Sequence, residues 1–163
     1  MDARTSTRDS QRSRVYAAED AWALRLDAAR RGAQRAEVAG SALLLPKELH
    51  FGTLEAAASY ADRQLAGHAV PPVRIRLRRG QTRAHWEAPG VIALPVAEHG
   101  TPWALRETVL LHELAHHLAF HLDGVADHGQ AFAQRMLELV GKALGEEAAL
   151  ALLVDYADTG VKA

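Results

Sequence analysis

The sequence predicts a single α+β domain in which a few short strands pack on a buried central helix with flanking helices. Helical apolar spacing recurs in several segments, and strict apolar–polar alternation marks a strand at 73–78. A chain of 163 residues with 48% hydrophobic residues can also bury one sizeable core. We therefore expect a three- to four-stranded antiparallel or mixed sheet within one domain at 12–163, preceded by a flexible polar leader at 1–11.

Composition excludes several classes of function. Lys and Arg number 19 against 20 Asp and Glu, so the net charge of -1 provides no overall field for nucleic acid or anionic lipid. The chain has no cysteine, which excludes disulfides, thiolate ligands and a cysteine nucleophile. It also has no signal-like N-terminus and no run of about 18 apolar residues, so we expect a cytoplasmic protein without a membrane partner.

The first third of the chain predicts two helices separated by an extended segment. Between residues 11 and 35 apolar residues recur near helical spacing, which indicates a long amphipathic helix that covers the sheet. These residues are Val15, Ala18, Trp22, Leu24, Ala28 and Ala29. A short strand is expected at 42–45, ended by Pro46, and Thr53 is the expected N-cap of a helix at 55–65.

The middle of the chain predicts a small antiparallel meander. Its first strand, 73–78, should place Val73, Ile75 and Leu77 against the core. Arginines 74, 76 and 78 would then lie on the opposite face. A turn at 79–81, a strand at 83–87, a turn at 89–90 and a strand at 91–94 complete the predicted meander.

The second half predicts three helices. Thr101 is the expected N-cap and Pro102 the first residue of a helix that continues through 103–122. Asp123 and Gly124 should end this helix, and a loop then carries residues 127–129. Two further helices are expected at 130–144 and 146–155.

Five of the nine histidines lie in residues 109–132, VLLHELAHHLAFHLDGVADHGQAF. His112 and His116 are four residues apart, so on a helix they project from one face and can bind one ion. Glu113 lies next to His112 and can hold a water without being a ligand. The helix is apolar almost all round, and because its buried polar groups need partners, a metal ion is expected there.

A third ligand is expected from the loop beyond Gly124. His128 is the preferred candidate because a helix break there can return it to the open side of the ion. Asp127, Asp123 and Glu138 stay open as alternatives. His117 and His121 are expected to make polar contacts instead, since His121 projects about 180° from His112 on a continuous helix.

Three segments, GVIALP, LLHELAHHL and HGQAF, resemble the SprT-like zinc metalloproteases and related small zincins. From RSRVYAAEDAW onward, the chain also resembles small actinobacterial and phage-borne proteins assigned as metallohydrolases by this motif. The SprT-like resemblance implies a zincin-like fold and one Zn²⁺ held by His112, His116 and His128, with Glu113 as the catalytic carboxylate. The chain departs from larger members in having no cysteine zinc ribbon and no strongly basic region, so the resemblance supports the zinc chemistry but gives no support for DNA-linked proteolysis.

The leading functional prediction is a zinc metallopeptidase that acts on a peptide or protein substrate. Glu113 would serve as general base, and the strand edge at 83–94 would pair with the extended substrate. The alternatives are a metal-stabilised binding or adaptor module, a hydrolase of another substrate, or a nucleic-acid binder. The nucleic acid would contact arginines 74, 76, 78 and 83. The candidates for an oxyanion stabiliser are His85, Arg106 and Tyr156.

Overall fold

The structure is a computed structural model that describes residues 9–79, 83–95 and 105–163. In these ranges the chain forms an α+β fold with five α-helices and two small sheets. The helices are α1 (Arg12–Arg30), α2 (Leu54–Leu65), α3 (Glu107–Leu118), α4 (Gln130–Leu144) and α5 (Glu146–Thr159). The strands are β1 (Arg35–Val38), β2 (Ser41–Leu44), β3 (Arg74–Arg78), β4 (His85–Glu87) and β5 (Val91–Pro95).

Helix α1 forms where its apolar spacing predicts, but it packs on α5 instead of covering the sheet. Its buried residues are Val15, Ala18, Trp22, Leu26 and Ala29. Leu24, predicted to belong to this stripe, is 69% exposed. The reason is geometric, because a residue two positions past Trp22 points to the opposite side of a helix.

Strands β1 and β2 form an antiparallel hairpin, of which the sequence predicted only the second strand. Ala39 and Gly40 have φ of 49° and 81° and make its two-residue turn. Val38 is the only buried residue of β1, and the alternation within this four-residue strand is too short to identify it. The helix predicted at 55–65 is confirmed as α2, and Thr53 Oγ1 accepts a hydrogen bond from the Ala56 amide at 3.1 Å.

The second sheet is mixed, with strand order β3-β5-β4, so the predicted antiparallel meander is wrong. β5 lies in the centre, parallel to β3 and antiparallel to β4. Its buried residues Ile92, Ala93 and Leu94 explain the central position, since a central strand is covered on both faces. Leu77 is 47% exposed on the outer strand β3, because alternation predicts a face but not how far neighbouring elements cover it.

The central helix begins later than predicted. Arg106 is extended and forms an antiparallel bridge with His50, so α3 starts at Glu107. The predicted cap Thr101, Pro102 and the predicted first turn at 103–104 lie outside the described residues, as do residues 80–82 of the predicted turn. Every residue of α3 except Val109 is buried, as expected for a central helix.

A π-helical turn, Ala119–Asp123, continues α3 and ends at Gly124. Gly124 has φ of 71°, a left-handed conformation that glycine adopts without steric cost. This confirms the predicted break at Asp123 and Gly124. Helix α4 matches its prediction, and α5 extends four residues further than predicted, to Thr159. None of the helices in the described ranges has the length and apolar composition that crossing a membrane requires.

Candidate metal centre

Three buried histidines converge between α3 and the loop that precedes α4. His112 and His116 project from α3, and His128 comes from the loop that follows the π-helical turn. The Nε2 atom of His128 lies 3.2 Å from Nε2 of His116 and 3.3 Å from Nε2 of His112. Because the side chains are buried and their ring nitrogens face one another, this cluster can hold a metal ion.

The loop after α3 is folded so that His128 returns to the helix. The Val125 amide donates to the Ala119 carbonyl at 3.3 Å, and Asp127 Oδ1 accepts from the Gly129 amide at 3.0 Å. Helix α4 then starts, and the ring of Phe132 lies 4.5–4.9 Å from all three histidine rings. The short loop and the first turn of α4 therefore fix the third histidine against the other two.

Two of the three histidines hydrogen-bond to carboxylates through their far ring nitrogens. His112 Nδ1 lies 2.6 Å from Glu19 Oε2, and His128 Nδ1 lies 2.7 Å from Asp9 Oδ2. Each carboxylate accepts a hydrogen bond from a protonated Nδ1. The unprotonated Nε2 of the same ring then keeps its lone pair for an ion. The buried Nδ1 of His116 has no hydrogen-bond partner among the described residues.

The electrostatics of the cluster favour neutral imidazoles at two positions. Burial lowers the pKa of His116 to about 2, and the charges of His112 and His128 add to this effect. Burial also lowers the pKa of His128, against the opposing hydrogen bond from Asp9. Burial acts on His112 in the same direction, but the charge and hydrogen bond of Glu19 outweigh it, so the pKa of His112 is raised.

Glu113 lies beside the cluster at the wall of a cavity. The cavity has a volume of about 400 Å³, and Tyr16, Arg83, His112 and Glu113 are among its lining residues. Burial raises the pKa of the Glu113 carboxyl, while the neighbouring charge of His112 opposes the shift. A carboxylate with a raised pKa is a stronger base than an ordinary one, so Glu113 is suited to accept and return a proton beside the cluster.

A family model described as the SprT-like family matches residues 56–150. The chain belongs to the SprT-like family. No curated protein matches the chain, and no solved structure does. The SprT-like segment contains the mixed sheet, α3 with its H-E-x-x-H motif, and the His128 loop, whereas α1 and its carboxylates lie outside it.

The other predicted ligands within the SprT-like segment are engaged elsewhere. Asp123 pairs with Arg135 at 2.9 Å, and Glu138 contacts the same arginine at 2.9 Å. Asp127 binds the Gly129 amide. None of these three belongs to the cluster of ring nitrogens that the described residues form.

His117 and His121 make polar contacts, as predicted. The fully buried His117 bonds through Nε2 to the Pro71 carbonyl at 2.7 Å, and its Nδ1 accepts from Trp86 Nε1 at 3.3 Å. His121 Nε2 lies 2.6 Å from the Pro89 carbonyl. Both residues therefore attach α3 and its π-helical turn to the loops that flank the sheet.

The three candidates for an oxyanion stabiliser differ in position. Arg106 lines the cavity but is paired with Glu48 and with Asp27, the latter at 3.0 Å. His85 is exposed on β4. Tyr156 is fully buried and donates to Glu19 at 2.8 Å, so it acts behind the histidines and not in the cavity.

Sequence reasoning missed Asp9, Tyr16 and Glu19. Asp9 falls inside the segment predicted as a leader, yet it hydrogen-bonds to His128. Tyr16 and Glu19 are three residues apart on one face of α1, a spacing that could have suggested a shared role. No local pattern in the sequence, however, relates this face to histidines about a hundred residues later.

Proposed function

We propose that this chain is a zincin-type zinc metallopeptidase in which His112, His116 and His128 hold one Zn²⁺ and Glu113 is the general base. The observation that carries the proposal is the convergence of three buried imidazole nitrogens beside a buried carboxylate at a cavity wall. Membership of the SprT-like family supports it, because the motif residues fall inside the matched segment.

The donor set fits zinc. Three neutral imidazoles with one open position are the usual ligand set of a catalytic zinc site. The Nε2 atoms face one another at 3.2 and 3.3 Å, an arrangement of lone pairs that a cation would stabilise. When bound, zinc would polarise a carbonyl and lower the pKa of water to about 7. Imidazole also binds other divalent ions, and the SprT-like assignment favours zinc among them.

Glu113 would perform the proton transfers of peptide hydrolysis. The water oxygen bonds to the carbonyl carbon and the C–N bond breaks, so that one water proton goes to the leaving nitrogen and the other stays with the carboxyl product. Glu113 takes one proton from the water and returns it to the leaving nitrogen, so the carboxylate is regenerated. Its buried position and raised pKa suit both halves of this transfer.

Strand β4 would bind the substrate backbone. It is an outer strand of the mixed sheet, paired with β5 along one edge. The ring of Trp86 on this strand is nearly parallel to the His116 ring, with centroids 6.4 Å apart. The strand therefore runs close to the histidine cluster. An extended peptide that pairs with the other edge of β4 would pass the cluster with its amide groups aligned.

Nucleic-acid binding through the arginines stays an alternative prediction, and the contacts do not favour it. Arg76 pairs with Glu87, Arg78 donates to the Arg83 carbonyl at 3.3 Å, and Arg83 lies over the Tyr16 ring at 4.6 Å. Three of the four arginines are therefore engaged within the chain. A peptide or protein substrate is the partner we propose.

The test compares wild type with Glu113→Gln and His112→Ala on an unbiased peptide library, with metal analysis of each protein. We expect one metal per chain and cleavage in wild type. Glu113→Gln should keep the metal and lose about 10²–10⁴-fold in rate, because the amide cannot accept the proton. His112→Ala should lose both. Full cleavage by Glu113→Gln contradicts the proposal, and metal binding without cleavage in wild type would favour the adaptor alternative.

A further inference from the structure

We infer that residues before the SprT-like segment form part of the metal centre, with Asp9 and Glu19 as positioning residues that orient His128 and His112. The inference rests on the metal site in the proposed function but not on peptidase activity. The family match begins at residue 56, so both carboxylates lie outside it. They reach the histidines across 119 and 93 residues of sequence.

Glu19 is held at both carboxylate oxygens. Its Oε2 lies 2.6 Å from His112 Nδ1, and its Oε1 accepts from the Tyr156 hydroxyl at 2.8 Å. The Glu19 side chain is 13% exposed, and Tyr156 is fully buried. A carboxylate fixed in this way selects the Nδ1–H tautomer of His112 and directs its Nε2 lone pair towards the cluster.

Asp9 binds His128 at two points. Its Oδ1 accepts from the His128 amide at 3.1 Å, and its Oδ2 lies 2.7 Å from the ring Nδ1. Two residues further on, Gln11 donates from Nε2 to the His128 carbonyl at 3.1 Å and accepts from the Lys162 amide at 2.7 Å. The backbone and ring of His128 are thus fixed by Asp9 and Gln11, and Lys162 in turn fixes the Gln11 side chain.

Tyr16 completes the contact between α1 and the histidines. Its ring stacks on His112 with centroids 5.3 Å apart and planes at 21°, and lies 5.3 Å from the His128 ring. The side chains of Asp9, Tyr16 and Glu19 therefore contact His112 and His128, the two histidines whose Nδ1 atoms hydrogen-bond to a carboxylate. His116, whose ring lies between Phe132 and Trp86, receives no such contact from the described residues.

The test is zinc affinity of the whole 163-residue chain, measured by competition with a chromophoric chelator, together with the absorption spectrum of the Co²⁺-loaded protein. Asp9→Asn and Glu19→Gln should each weaken zinc binding about 10–100-fold, the usual effect of removing a carboxylate that hydrogen-bonds to a metal-binding histidine. Both should also shift the Co²⁺ spectrum, which reports ligand geometry. Asp158→Asn and Glu37→Gln remove one charge each from exposed positions and should change neither quantity.

A second variant covers the case in which Glu19→Gln does not fold. Tyr156→Phe keeps the carboxylate and removes only its hydroxyl donor, so it should weaken zinc binding by less than Glu19→Gln. The inference would be overturned if Asp9→Asn and one of the other two variants, Glu19→Gln or Tyr156→Phe, both left zinc affinity and the Co²⁺ spectrum unchanged. This holds even if peptidase activity is intact. Weakened binding in these variants would support it, even if wild type cleaved no peptide. A wild type that binds no zinc would overturn both proposals.

Discussion

The Nε2 atoms of His112 and His128 lie 3.3 Å apart, although one belongs to the central helix and the other to a loop sixteen residues later. The connection between them is the π-helical turn that ends at Gly124. With φ of 71°, Gly124 reverses the chain so that the loop passes back over the helix face. The geometry of the metal centre therefore depends on one left-handed residue.

Gly124→Ala should weaken both the fold and the metal centre. An added Cβ would meet no atom within 4 Å, so the cost is conformational and should be about 1–2 kcal/mol in unfolding free energy. Urea unfolding of the metal-free protein measures this, and zinc affinity should fall in parallel.

Gly141→Ala, within α4, is the matched control. It should stabilise the protein by about 0.5–1 kcal/mol, since its Cβ would meet only Ala149 at 3.9 Å. Equal effects of the two substitutions would contradict this account.

His117→Ala should destabilise the fold without removing the metal. The substitution leaves a cavity, and the buried Trp86 N–H loses its acceptor, so we expect a loss of about 2–4 kcal/mol in unfolding free energy. His121→Ala, from a half-buried position, should cost about 1 kcal/mol. Metal content and urea unfolding measure the two effects. A folded His117→Ala protein without its metal would show that His117, and not only the three clustered histidines, supports the ion.

Zinc affinity should fall as pH decreases, beginning above the ordinary histidine pKa of about 6.5. The pKa of His112 is raised because Glu19 outweighs the effect of burial, so protons compete with the ion for His112 at a higher pH than for a free histidine. His116, with a pKa lowered to about 2 by burial, should not contribute to this competition.

Glu19→Gln distinguishes two effects on zinc binding: the competition of protons for His112, and the orientation of the His112 ring by Glu19. Removing the charge of Glu19 lowers the pKa of His112, so the pH at which affinity declines should move down. The affinity at high pH should nevertheless be weaker than in wild type. Zinc titrations across about pH 5.5–8.5 cover the histidine range. A decline that stays at the same pH in both proteins would be inconsistent with the role given to Glu19.

Local chemistry made several elements predictable. The four-residue spacing of His112 and His116, the Thr53 cap and the break at Gly124 each depend on residues within a few positions of one another. The choice of His128 as the preferred third ligand also rested on the helix break at Gly124 and the short loop after it. Neighbouring residues suffice for such features because helix geometry fixes side-chain directions over one or two turns.

Features that depend on contacts between residues far apart in the sequence could not be predicted in the same way. The order β3-β5-β4 depends on which strand becomes central, and alternation within β3 carries no information about its partner. Helix α1 packs on α5 and brings Glu19 to His112, a contact that no pattern near either residue indicates. The histidines were thus accessible to sequence reasoning, whereas the carboxylates that orient them were not.

X-ray absorption spectroscopy of the zinc-loaded 163-residue chain tests the central claim most directly. We predict one zinc per chain with three imidazole nitrogens at about 2.0–2.1 Å and one exchangeable oxygen ligand. His128→Ala should remove one imidazole from this shell and leave the other two. A shell closed by four protein ligands, or one that keeps its imidazole count in His128→Ala, would contradict the account.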